Sequence, residues 1–302
     1  MAFRATRLLV FLLTLWGAGC RRQPVSARID PAIVPLIPGD TRWVAGLRLD
    51  KLKDTPFFKK YVETQELPML DEFQKRTGLD PRKDLWELCA AGNGRSAVVF
   101  ARGKFGDLFG LEPNIRIEGM RRMSYKGYNM LGVPDYAVMF LQSGVAAVGA
   151  VTKLQEIVDN RDKGDQAPRA LLNLVATVPA SAQAWMVTAE GGSLVPNLPA
   201  QGNLANFTRM VRDLKQFTIY ADLAQSVKLQ AEGQYGDPQA AKLTNDALRG
   251  LIGMARLQTP DNKPELLRVY DGIKVTRNET KVEITADAPF DLIDQFRSFL
   301  PR

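Results

Sequence analysis

The chain of 302 residues contains no histidine. That absence removes Ser-His-Asp and Cys-His nucleophile systems, His-containing zinc sites, the two-His-one-carboxylate iron site and histidine haem ligation. Cysteine is almost as scarce, with Cys20 and Cys89 alone, so a disulfide framework is excluded. No apolar run approaches the roughly 18 residues needed to span a bilayer. Gly-x-Ser-x-Gly and Ser-x-x-Lys motifs are missing, and so are the P-loop and the dinucleotide fingerprint. Carboxylate pairs, Ser-Lys dyads and oxygen-ligated calcium or magnesium survive this elimination. The net charge of +7 is modest. With no long basic helix and no aromatic-plus-arginine platform, it falls short of a nucleic-acid binder.

What is present begins at the N-terminus. Arg4 and Arg7 precede the greasy run Leu8 to Leu13, continued by Leu15 and Trp16. Gly17, Ala18 and Gly19 then lead into Cys20. A positive segment, a short apolar segment and small residues before a cut are the parts of a secretory signal peptide. The cysteine after them resembles a bacterial lipoprotein signal, which implies cleavage before Cys20 and its acylation. Gly17 departs from that pattern, which prefers an aliphatic residue three places before the cysteine. The alternatives are an ordinary signal peptide and a Cys20–Cys89 disulfide. If Cys20 is acylated, Cys89 among Leu85, Trp86, Leu88, Ala90 and Ala91 reads as a small buried hydrophobe. Export places the protein in the bacterial cell envelope, on the periplasmic or outer side. Removing residues 1–19 leaves enough chain for one large or two medium domains.

The remainder shows three weak internal matches in the same order. Pro38 before Trp43-Val44-Ala45 matches Pro179 before Trp185-Met186-Val187. Ala101 to Gly106 matches Ala231 to Gly236, and Tyr125-Lys126-Gly127 matches Tyr270-Asp271-Gly272. They divide the chain into a leader (1–19), a tether (20–28) and two α+β repeats (29–165 and 166–302). In the first repeat, alternation predicts a strand over Arg42–Leu49, and further strands are expected over Arg95–Arg102, whose core Ala97-Val98-Val99-Phe100 is apolar on both faces, Tyr125–Leu131, Tyr136–Leu141 and Val145–Val151. Helices are predicted from Pro56, over Leu70–Arg76 up to Gly78, and from Asp80-Pro81 through Trp86 and Leu88. Another opens at a Thr152/Gln155 capping box. In the second repeat, helices are expected along Leu204, Phe207, Val211 and Leu214, and from Asp237-Pro238 through Leu248, Leu251 and Ile252. Hairpins are expected over 217–235 and 272–286, and a last helix from Pro289 capped by Asp287. Hairpins punctuated by helices argue α+β, as two similar lobes or one pseudo-symmetric antiparallel sheet with helices packed on one side.

Four pieces together resemble uncharacterised exported bacterial lipoprotein-like proteins with a duplicated α+β unit. They are the leader, Pro38-Gly39-Asp40-Thr41-Arg42-Trp43-Val44, Thr77-Gly78-Leu79-Asp80-Pro81 with Asp84-Leu85, and Arg102-Gly103-Lys104-Phe105. The resemblance implies location and fold, and no chemistry.

Candidate sites are few. Asp159, Asp162 and Asp165 lack EF-hand spacing, because Arg161 and Lys163 occupy ligand places. Gly92 to Ser96 and Gly191 to Ser193 read as turns. Ser124/Lys126 and Ser226/Lys228 place serine and lysine two apart, the spacing of a dyad on one strand face. Arg116, Arg121, Arg122 and Lys126 form the densest basic stretch, a candidate contact with lipid phosphates or an anionic polymer. The expected function is a non-catalytic envelope lipoprotein without cofactor or metal. It is membrane-anchored through Cys20 and binds a protein, lipid or polymer partner. The alternative is an envelope hydrolase using carboxylates or a Ser-Lys pair. An apolar, solvent-accessible groove between the lobes would sharpen the first reading to a carrier.

Overall fold

The computed structural model describes residues 28–63, 67–105, 119–142, 144–164, 166–194 and 205–292. Its twelve strands are β1 (Trp43–Arg48), β2 (Leu85–Gly92), β3 (Ala97–Gly103), β4 (Arg121–Tyr125), β5 (Tyr128–Gly132), β6 (Tyr136–Gln142), β7 (Val145–Ala150), β8 (Ala184–Thr188), β9 (Leu214–Asp222), β10 (Val227–Tyr235), β11 (Ile273–Asn278) and β12 (Lys281–Ala288). The longer helices are α1 (Pro68–Thr77), α2 (Val151–Asn160), α3 (Arg169–Thr177), α4 (Ala205–Arg212), α5 (Pro238–Leu257) and α6 (Pro264–Asp271).

All strands join one antiparallel sheet in the order β11-β12-β10-β9-β8-β1-β2-β3-β7-β6-β5-β4. The expected α+β class with one antiparallel sheet is therefore observed. β1 and β8 pair at its centre, Gly46 opposite Trp185. Outward from β1 run β2, β3, β7 and β6; outward from β8 run β9, β10, β12 and β11. Each series ends in a hairpin whose later strand lies inside.

Register assigns every side chain to a face, because neighbours directly opposite one another share it. On the back face, Met139, Ala147, Phe100, Cys89 and Trp185 lie in one cross-strand row. They pack under Leu154, Ile157 and Val158 of α2 and Leu171, Leu172 and Val175 of α3. The segment after the tether joins the same core through Ile29, Ile33, Leu36 and Ile37. The front face carries a second core at the other end, where Val275, Val282 and Tyr235 meet Ala241, Leu248 and Ile252 of α5. Helices thus cover one side within each half, and the covered side changes between halves.

Several sequence expectations need correction. The Asp80-Pro81 helix ends at Asp84, and Leu85–Gly92 is β2. Its pairing with both β1 and β3 outweighs the helical cap signal. Tyr125–Leu131 is two strands, split at Lys126-Gly127, both with positive φ (46° and 84°). α2 begins one residue before Thr152, with Ala150 at the N-cap and no side-chain cap bond. α6 follows no signal read in the sequence. Leu251 lies within α5, as expected, and is exposed. Trp43 and Trp185 are not equivalent: Trp43 shares a row with Thr188 and Trp185 with Gly46, three positions on, so they lie on opposite faces. Asp287 accepts a hydrogen bond from the Ser226 hydroxyl (2.6 Å).

Candidate functional site

Because the covered side changes, two sheet surfaces have no helix above them among the described residues. The back of β9, β10, β12 and β11 is polar. There Tyr220 donates to Gln230, which donates to Glu283 at 2.8 Å, and Lys281 pairs with Glu232 at 2.6 Å. The front of β2, β3, β7, β6 and β5 is apolar.

This apolar surface forms an open groove of about 470 Å³, within the 300–1,000 Å³ of small-molecule sites. Leu88, Val99, Val148, Val138 and Leu131 make its floor, one from each strand. Val99 and Val148 stand opposite each other, as do Val148 and Val138. Phe105 and Phe140 close one end with rings 5.7 Å apart in an edge contact, beside Leu79 and Leu85. Met120, Val133 and Tyr136 form the rim. Among the described residues no lining side chain is charged, and the Tyr136 hydroxyl is the one polar side-chain group in the wall. Val148 is 47% exposed and Tyr136 63%, so a considerable apolar patch faces solvent. The local cause is visible in the chain: β3 and β7 are apolar on alternate as well as core positions, and among the described residues no helix covers the front set.

A buried polar cluster on the back face straps the N-terminal segment to the sheet. Glu87 Oε1 accepts a hydrogen bond from the Asp30 N–H (3.1 Å), and Arg102 Nε donates to Asp30 Oδ2 (3.1 Å). Arg48, paired with Asp50 at 2.8 Å, approaches Glu87 at 4.0 Å. Burial pushes the Glu87 carboxyl up to about 7, more than the Asp30 N–H and Arg48 pull it down. This cluster is a latch, with its acids and bases engaged with one another.

At the opposite end of β1, Asp40, Arg42, Arg95 and Glu190 line a polar hollow of about 390 Å³. Its two positive and two negative side chains give it no net preference for either sign of ligand. Burial would raise the Asp40 carboxyl, but hydrogen bonds from Lys153 and Asn93 hold it below the usual range.

Cys20 and Arg116 lie outside the described residues. Cys89 is fully buried, and burial pushes its thiol far above the ordinary range. The remaining basic residues do not form one patch. Arg121 and Arg122 project from opposite faces of the edge strand β4, opposite Gly132 and Leu131. Lys126 pairs with Asp159 at 2.7 Å, and together with Tyr125 it holds that carboxyl below the usual range. Arg122 alone shares the groove face, beside Leu131. Neither serine-lysine pair is a dyad here, since Lys126 is bound to Asp159 and Ser226 to Asp287. Asp165 lies outside the described residues, and among those described no three His, Cys, Asp or Glu side chains gather to hold a metal. Among them, too, no helix is long and apolar enough to cross a membrane. The groove itself was missed by the sequence reading; its signal was the two-faced apolar character of β3 and β7.

No protein-family model and no curated protein matches the sequence. Solved structures of TP0453, a Treponema lipoprotein, are similar in fold. Its crystal form III superposes with a TM-score of 0.52 at 11% identity, covering 88% of this chain and 98% of that one. Crystal form I gives 0.50 at 11% identity, over 89% and 97%. At this identity the likeness is one of architecture.

Proposed function

We propose that this is a non-catalytic protein of the bacterial cell envelope, moored by acylated Cys20, that shelters the acyl chain of a lipid in the front groove. The groove carries the reading: its described lining is apolar over five strands, with Val99 and Val148 exposed and no charged side chain among the described residues. Water leaves such a surface at a gain of about 25 cal/mol per Å², and a hydrocarbon chain asks for no hydrogen bonds in return. The leader and the small residues before Cys20 support the mooring, which needs no spanning helix. The hydrolase alternative gains no support from the described residues, where the serine-lysine pairs are engaged elsewhere.

The test is a titration of the protein with a fluorescent polyene fatty acid. Saturable binding that Val148→Asp weakens by about tenfold, or about 1.4 kcal/mol, supports the reading. Equal binding by wild type and a folded Val148→Asp variant refutes it.

A further inference from the structure

The front groove has a wet end and a dry end. Tyr136 at the rim is 63% exposed and Val148 on the floor 47%. Phe105 and Phe140 at the closed end are each 8% exposed, and Ala146 among them 2%. Register explains the change. One cross-strand row reads Val99, Val148 and Val138. The next row toward Gly103 reads Leu88, Ala101, Ala146 and Phe140. Two alanines side by side leave room above β3 and β7, and the rings of Phe105 and Phe140 fill it together with Leu79.

The dry end is fixed from three segments of the chain. Phe140 belongs to β6. Phe105 follows directly on β3, where the Gly103 N–H donates to the Gly144 carbonyl (3.1 Å) and the Lys104 N–H to the Asp84 carbonyl (2.7 Å). A Cβ on Gly103 would fall 2.5 Å from that Asp84 oxygen, so the backbone leading to Phe105 runs tight against its neighbour. Leu79 follows the left-handed Gly78 that ends α1.

These features give an amphiphile one direction in the groove. A polar head at the dry end would leave water for aromatic and aliphatic neighbours, which return no hydrogen bond. A methyl end loses nothing there. At the rim a head keeps its water and meets the Tyr136 hydroxyl. Each buried methylene tightens binding about fourfold until the tip reaches the rings. Carbons beyond that point stay in solvent and add nothing.

We propose that the ligand lies with its head at the Tyr136 rim and its methyl end against Phe105 and Phe140, and that these two rings set the longest chain the groove holds. The inference rests on the acyl-chain reading and adds the ligand class: an amphiphile with one polar end and a hydrocarbon tail of limited length.

The experiment is displacement of the fluorescent polyene fatty acid from the full chain by a homologous series of straight-chain fatty acids, each below its critical micelle concentration. With wild type, affinity is expected to rise about fourfold per methylene and then to level off at one chain length. Phe105→Ala is expected to move that break to longer chains. Phe105→Leu, which keeps the closed end largely filled, is expected to move it less in the same direction. Tyr136→Ala, at the open end, is expected to leave the break in place. A break that neither Phe105 variant moves, a break that Tyr136→Ala moves instead, or a steady rise through the whole series overturns the proposal and leaves the acyl-chain reading standing. Failure of the probe and of every member of the series to bind wild type removes both.

Discussion

The Cβ that Gly46 lacks would fall 2.4 Å from the ring of Trp185, its partner across the central pair of strands. The two halves of the sheet meet through this contact. The ring takes the place of a side chain on β1 and closes the back core beneath α3. Its Nε1 is buried without a hydrogen-bond partner, so position 185 holds an indole for its bulk.

Gly46→Ala is therefore expected to destabilise the protein by about 1–3 kcal/mol, the usual cost of overpacking, and Gly46→Val by more. Trp185→Phe loses ring volume but also removes the unpartnered donor, so it should cost less than Trp185→Ala. Thermal melts of the four variants check the order. A Gly46→Ala variant as stable as wild type would mean the ring moves aside freely.

Glu87 makes stability pH-dependent. Its carboxyl titrates near 7 in the folded chain against an ordinary 4.5, so between those values the native state holds a proton that the unfolded chain has released. Stability contributed by this group consequently falls as pH rises from about 4.5 through 7. Glu87→Gln keeps an oxygen to accept from the Asp30 N–H and carries no charge. The melting temperatures of variant and wild type should nearly agree at pH 4.5 and separate in the variant's favour at pH 8. A constant difference across that range contradicts the assignment.

Asp237 caps α5, with Oδ1 accepting from the N–H groups of Gln239 (2.8 Å) and Ala240 (3.0 Å). Asp237→Ala should cost about 1 kcal/mol, and Asp237→Asn most of an order less, by chemical denaturation. An equal loss for both would assign the effect to charge at the helix N-terminus.

Mooring is tested separately. With Cys20→Ser, the chain is expected to move from the membrane fraction to the soluble periplasmic fraction. Unchanged membrane association would remove the acyl anchor from the account.

Much of the architecture was legible because its signals are local. The Asp237-Pro238 cap, the left-handed Gly78 (φ 75°) at the end of α1 and the alternation in β1 and β10 each depend on a few residues. Leu85–Gly92 was misread because Asp80 caps a helix of one turn, while pairing on both edges takes the next eight residues into the sheet. The tryptophan match misled for a related reason: a strand has period two, and correspondence of type without correspondence of parity puts the rings on opposite faces. β3 and β7 displayed apolar residues on both faces in the sequence. Which face a helix would leave open depends on the order of twelve strands, and the groove emerges only there. The layout of the basic stretch was hidden similarly, since Arg121 and Arg122, adjacent on one strand, point apart.

The central claim is that the front face of β2, β3, β7, β6 and β5 binds hydrocarbon. The most direct measurement is quenching, by a bromine-labelled fatty acid, of a tryptophan introduced as Tyr136→Trp on the groove rim, with Trp16, Trp43, Trp86 and Trp185 replaced by phenylalanine. The account predicts saturable quenching that Val148→Asp and Val99→Asp each abolish, while Lys274→Asp on the back face leaves it intact. Quenching that is equal in all three variants, or absent in the parent, would contradict it.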